Sequence, residues 1–254
     1  MIEKELVIEK TQLVLLEGGR FKFGDIWGDG DKDEYPIQEL EMSSFYAGKY
    51  CVSLGEFVGF LNEIPADSQG LIDEYIDLDA FSCITRNKEH FSIDKADAMQ
   101  PVTSVSWTGA NAYCGWLSQK ENVQFRLLSE AEWQFAAMGS NNTKWAFGND
   151  FDPSKYVFGK SKPENVDCGT PQENGLYNMT GNIFEWVNDE YGFTLNQSES
   201  DAIKEHRVIK GGSFILSEKN NLRNSKRFSC HEKSCLKSNG FRIGANYEPH
   251  LKQK

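Results

Sequence analysis

The sequence predicts an α+β fold, a single domain with low regular secondary structure and long ordered loops. Two Ser-x-x-Glu boxes open short amphipathic runs at residues 53 and 129. Strand-length apolar segments bounded by glycine and asparagine lie on both sides of them. No repeat, linker or low-complexity tract divides residues 1–254, so all are assigned to one domain.

Residues 12–24 alternate apolar and polar side chains about Gly18-Gly19 and read as a β-hairpin. Asp25 to Glu34 follow as a carboxylate-rich loop. Asp29, Asp31 and Asp33 have the alternate spacing of a calcium loop, but the twelfth position, where an EF-hand closes with glutamate, is Leu40. A solvated acidic loop is therefore expected. Ser53-Leu-Gly-Glu56 is a capping box: serine oxygen and glutamate carboxylate satisfy opposing orphan amides, and the helix it starts carries Phe57, Phe60 and Leu61. A second helix is expected from about Thr108 to Lys120, with Cys114 in the core. Ser129-Glu-Ala-Glu132 opens a third and puts Trp133, Ala136 and Ala137 on one face. Residues 62–100, which include Tyr75-Ile-Asp-Leu78, read as an insertion. Beyond residue 138 no ten-residue helical period appears, so short strands and long loops are expected.

Hydrophobic content of 39%, aromatics at 13% and charge at 26% describe a globular protein. The net charge of -11 repels phosphate backbones, so no nucleic-acid partner is expected; Arg223, Lys226 and Arg227 form the one basic cluster that could oppose that field. No apolar run approaches the roughly 18 residues of a membrane span. Met1-Ile-Glu-Lys-Glu-Leu-Val has no basic start before an apolar stretch, and a cytoplasmic location is expected. The six cysteines, Cys51, Cys83, Cys114, Cys168, Cys230 and Cys235, are then expected as free thiols.

The densest motif is Gly175-Leu-Tyr-Asn-Met-Thr-Gly-Asn-Ile-Phe-Glu-Trp186, followed by Lys210-Gly-Gly-Ser213 and closed by Asn239-Gly-Phe-Arg242. With Gly18-Gly-Arg-Phe-Lys-Phe-Gly24, Asp33-Glu-Tyr-Pro36, Ala112-Tyr-Cys-Gly-Trp-Leu117 and Arg126-Leu-Leu-Ser-Glu-Ala-Glu-Trp133 in the same order, the chain resembles the formylglycine-generating enzyme (sulfatase-modifying factor) family over nearly its whole length. The resemblance implies a C-type-lectin-like fold. It also implies a reaction, the copper-dependent oxidation of a sulfatase cysteine to formylglycine by molecular oxygen.

Two thiolates suit that reaction because soft sulfur holds Cu(I) in low coordination. The family places them three and eight residues after the serine of Gly-Gly-Ser. Here those positions are Leu216 and Asn221. Leucine offers no ligand and asparagine only hard oxygen, so copper is not expected. The family's oxygen-pocket tryptophan is Phe184, while its serine is kept as Ser213. Cys230-His-Glu-Lys-Ser-Cys235 repeats the cysteine spacing fourteen residues late, in a segment read as a surface loop. Free surface thiols, a reversible disulfide and a soft-metal site with His231 are its three readings.

The resemblance further implies a structural calcium held by Asn178, Gly181, Ile183 and Glu185, a hard-oxygen set. The competing reading has Asn178 and Asn182 bonding a tight loop while Glu185 pairs with an arginine. Trp186-Val-Asn-Asp189 is similar to the Trp-Asn-Asp run of sugar-binding C-type lectins, with a valine interposed.

The expected function is a non-catalytic family member that binds a protein or peptide partner through its former active-site face. Phe214, Glu218, Asn220, Asn221, Arg223, Phe228, Cys230 and Cys235 are the residues assigned to that face. The alternatives are an oxidoreductase with its thiols relocated to Cys230 and Cys235, and a calcium-dependent carbohydrate binder.

Overall fold

Three serines start the helices that carry the core. The computed structural model describes residues 5–8, 11–78, 83–88, 90–192 and 205–247. Ser53 caps α1 (Leu54–Glu63) and Ser129 caps α4 (Glu130–Met138), each accepting from the amide three residues on while that glutamate reaches back, as the boxes predict. Ser106 caps α3 (Trp107–Glu121), one residue longer at each end than expected, and accepts from the Gly109 amide at 3.0 Å. Between α1 and α3 lie a single helical turn, α2 (Ile72–Tyr75), and a small hairpin, β6 (Thr85–Asn87) with β7 (His90–Ser92).

The main sheet runs β1 (Glu5–Ile8), β2 (Thr11–Leu16), β5 (Phe45–Gly48), β13 (Ile243–Asn246), β8 (Phe125–Leu127), all neighbours antiparallel. Helices cover both of its faces. Leu13, Leu15 and Tyr46 pack with Phe57, Phe60 and Leu61 of α1 and Tyr113 and Leu117 of α3. Val14, Leu16, Phe45 and Ala47 pack with Trp133, Ala136 and Ala137 of α4. Burying each of these large side chains contributes roughly 1.5–3 kcal/mol.

That two-sided burial corrects the hairpin reading of residues 12–24. β2 pairs with β5, not with β3 (Gly19–Phe23), which instead joins β4 (Gln38–Met42) in a separate two-stranded sheet. The chain leaves one sheet for the other at Gly18, where a Cβ would lie 2.2 Å from the Met42 carbonyl oxygen.

A second sheet has the order β11 (Phe228–His231), β10 (His206–Lys210), β9 (Phe184–Glu190), β12 (Asn239–Phe241), with β9 and β12 parallel. β12 runs into β13 through Arg242, so one segment belongs to both sheets. Between α4 and β9 the described residues hold a 3-10 turn at Pro153–Lys155 and otherwise loops, as expected. Among the described residues no helix is long and apolar enough to cross a membrane.

Candidate functional site

β10 delivers the chain to Gly211 and Gly212, whose φ values of +88° and +71° turn it back on itself. A Cβ on Gly212 would sit 2.3 Å from Leu222 Cδ2 and 3.4 Å from Leu216 Cδ1, so these two leucines close over the turn. Ser213 is fully buried and its hydroxyl has no hydrogen-bond partner. The amide of Phe214 donates to Asn182 O at 2.7 Å, while the carbonyls of Phe214 and Leu216 accept from Lys160 and Gly159, each at 2.7 Å. Leu216 is half-buried and packs against both apolar cores. The position three residues after the serine of Gly-Gly-Ser is thus filled with aliphatic carbon. Asn221, eight residues after that serine, is half-buried at the end of a turn and donates its amide to Glu218 O at 3.0 Å. Phe184, at the tryptophan position, packs edge-on against Phe228 with centroids 4.9 Å apart.

The Cys230 and Cys235 thiols, assigned to the same face, lie in different surroundings. Cys230 is buried, which corrects its placement on a surface, and its sulfur accepts from Asn239 Nδ2 at 3.4 Å. Cys235 is half-buried and points at Lys233 O, 3.8 Å away. Both are free, and burial pushes both thiol pKa values up, away from the thiolate a soft metal needs. Among the described residues the one group of His, Cys, Asp and Glu side chains close enough to share a cation is Asp31, Asp33 and Glu34. Two of its members are already paired, Glu34 with Arg223 and Asp31 with Lys226.

The acidic loop is solvated at Asp29 and Asp31, as expected, but not at its two ends. Asp25 and Glu34 are buried, and Glu34 receives both terminal nitrogens of Arg223 at 2.6 and 2.8 Å. Arg227 grips Glu130 at 2.7 and 3.0 Å and also donates to Asp33 O. The basic cluster and the acidic loop neutralise each other. Arg223 and Phe214 are therefore withdrawn from the binding face, at 3% and 2% exposure. Glu218 and Asn220 stay exposed, Asn221 and Phe228 half-buried, and Ile215, which the sequence reading missed, is 44% exposed. An isolated apolar residue between buried neighbours carries no sequence signal for exposure.

The proposed calcium residues meet a different fate. Asn178 and Asn182 adopt positive φ, and their amides pin the loop through Val166 O and Glu164 O at 3.0 and 3.1 Å. Glu185 is 1% exposed. Its Oε1 accepts from Arg242 Nη2 at 2.8 Å and Cys51 Sγ at 3.1 Å, its Oε2 from Trp133 Nε1 at 2.8 Å and Arg242 Nε at 3.1 Å. A carboxylate has about four acceptor positions, and here all four are taken. A cation at Glu185 would share that carboxylate with the buried Arg242 guanidinium, so the loop has the bonding of the competing reading, Asn178 and Asn182 holding a tight turn and Glu185 an arginine. The lectin-like run is also redirected, because Trp186 is buried and Asp189 accepts the Glu130 amide at the start of α4, at 2.6 Å. Burial pushes the Asp189 pKa up to about 6.

The description "Sulfatase-modifying factor enzyme 1-like domain" matches residues 1–246. Over 241 residues the chain is 32% identical to the serine/threonine-protein kinase Pkn1 of Chlamydia trachomatis serovar L2, covering 91% of this chain and 38% of that protein. The chain thus spans well under half the length of the relative. It is 27% identical to the inactive C-alpha-formylglycine-generating enzyme 2 of Bos taurus, over 82% of this chain and 77% of that one. PvdO from Pseudomonas aeruginosa superposes with a TM-score of 0.72 at 23% identity, covering 93% of this chain and 94% of PvdO. The fold is C-type-lectin-like.

Proposed function

Proceeding from the fact that the chain belongs to the sulfatase-modifying factor enzyme 1-like family, we propose that it is a non-catalytic member whose loop-rich former active-site face binds a protein or peptide partner. The observation that carries this reading is Leu216, an aliphatic side chain packed into the core where the family holds its first copper thiolate. Asn221 at the second position supports it, as does the burial that pushes the Cys230 and Cys235 thiol pKa values up. Likeness to an inactive formylglycine-generating enzyme points the same way.

The surface left for a partner is small and mixed. Ile215, Glu218 and Asn220 are exposed, and Asn221 and Phe228 are half-buried. An exposed isoleucine followed closely in sequence by a carboxylate and two amides suits an extended peptide that buries a side chain against Ile215 and satisfies its backbone on the amides.

The test is an anaerobic Cu(I) titration of the reduced protein against a competing chelator, beside the Cys230→Ser, Cys235→Ser double variant. No binding beyond the competitor is expected from either. Tight one-to-one binding lost in the double variant would instead revive the oxidoreductase with relocated thiols and make a thiol-peptide turnover assay the next measurement. For the partner, capture from native extract should be abolished by Ile215→Arg with Asn220→Arg, and capture unchanged by that pair would move the surface elsewhere.

A further inference from the structure

A cleft of about 430 Å³ lies apart from the Ser213 face and shares no residue with it. Val52, Met99, Val166, Ile243 and the ring of Tyr50 are among its walls, and its lining is mostly apolar. Val52, Val166 and Ile243 are core residues that show only an edge to the cleft, while Met99 is 42% exposed at its rim. Among the described lining residues one side chain, Glu56, is acidic and none is basic.

Glu56 is half-buried and fixed in place. As the capping residue of α1, its Oε2 accepts from the Ser53 amide at 2.8 Å and from Ser53 Oγ at 2.7 Å, and its Oε1 accepts from Thr11 Oγ1 at 3.2 Å. Three of about four acceptor positions are filled, which leaves one on Oε1. A carboxylate held rigidly by its neighbours and placed beside hydrocarbon is preorganised for one charge-assisted bond. Cys51 adds no charge, because burial pushes its thiol pKa well up and the proton is donated to Glu185.

We propose that this cleft binds a small organic cation of the alkylammonium class, with its ammonium on Glu56 and its hydrocarbon against Met99 and Val166. The volume falls within the range of about 300–1,000 Å³ typical of small-molecule sites. Charge complementarity selects the class. An anion of the same shape meets Glu56 as a like charge, and a neutral alcohol gains only the apolar contact. The net charge of -11 also raises the local concentration of cations over anions at the surface. This inference is independent of the peptide-binding reading.

Isothermal titration of the whole chain with n-hexylammonium, n-hexanol and hexanoate tests it. Hexylammonium is expected to bind one-to-one, hexanoate not at all, and hexanol at least tenfold more weakly than the amine. Affinity should rise about fourfold per methylene from butyl to hexyl, the ratio that corresponds to ~0.8 kcal/mol per buried CH₂. Glu56→Gln keeps the capping geometry, since glutamine serves in the same box, and should lose tenfold or more for the amine while leaving hexanol unchanged. Met99→Ser, on the exposed rim, should flatten the chain-length dependence without touching the charge. Equal binding of the three probes, the absence of saturable binding of hexylammonium, or amine affinity unchanged in Glu56→Gln with an unaltered melting temperature would each overturn the assignment.

Discussion

Arg223 and Glu34, 189 residues apart in sequence, form a two-pronged ion pair at 2.6 and 2.8 Å that is almost wholly removed from solvent. It joins the loop after β3 to the segment before β11. Around it Arg227 holds Glu130 and Asp33 O, and Lys226 holds Asp31. A stretch that looks like a basic recognition patch in sequence is thus spent inside the molecule, holding a loop that looks like a cation site. Nothing in either segment alone reveals this, because each is a solvated surface until the fold brings them together.

Removing one member of that pair should be costly. Arg223→Met leaves Glu34 buried with an uncompensated charge, a change that typically costs about 3–5 kcal/mol. Adding Glu34→Met should restore part of it, since the Glu34 charge goes with its partner, while Asp25, buried and 3.8 Å from the same guanidinium, stays uncompensated. Urea denaturation of the two single variants and the double variant gives the coupling directly. Simple additivity of the singles would remove the pair from the account of stability.

Asp189 gives the fold a pH dependence of definite sign. Burial raises its folded pKa to about 6, above the ordinary aspartate value of 3.8. Its stabilising contribution is therefore fully present below about pH 4 and lost as pH rises through 6. The shift corresponds to about 3 kcal/mol at most. Asp31, whose pKa is lowered by its hydrogen bond from Lys226, acts oppositely and only at more acid pH. Melting temperature should rise between pH 7 and pH 5, and Asp189→Asn, which still accepts the Glu130 amide, should flatten that rise. An equal rise in the variant would place its origin elsewhere.

Leu216 carries the non-catalytic reading proposed above, so its packing is open to a direct test. It is half-buried against both cores and lies over Gly212 beside Leu222. Leu216→Ala should cost about 2 kcal/mol, the low end for leucine truncation because one side of the residue faces solvent. A loss under about 0.5 kcal/mol by denaturant titration would mean the site is not a packed plug.

The helices were legible in the sequence because capping is local: Ser53 with Glu56 and Ser129 with Glu132 carry their geometry within four residues. Pairing is not local. β2 alternates well enough to suggest a hairpin, but its partner β5 lies about thirty residues on, and helices on both faces bury Leu13 to Leu16 alike. At the candidate site, the loss of the two thiols could be read by position at Leu216 and Asn221. The burial of Phe214, Arg223 and Cys230 could not, since it depends on Asn182, Glu34 and Asn239, which sequence spacing does not connect to them.

Glu185 decides whether a cation belongs to this fold's central loop. Arg242 bridges the two sheets and spends its donors on Glu185, on the carbonyls of Gly48, Lys49 and Tyr177, and on the Cys51 sulfur. With the acceptor positions of Glu185 filled by Arg242, Trp133 and Cys51, the loop has its compensating charge already. EGTA and added calcium should therefore leave the melting temperature unchanged. Glu185→Gln should lower stability by several kcal/mol in both, because it strands the Arg242 guanidinium in the interior. If calcium occupied the loop instead, a hundredfold excess over its dissociation constant would add about 2.7 kcal/mol, several degrees of melting temperature, and EGTA would remove it. The two accounts separate on the wild-type protein alone, before any variant is made.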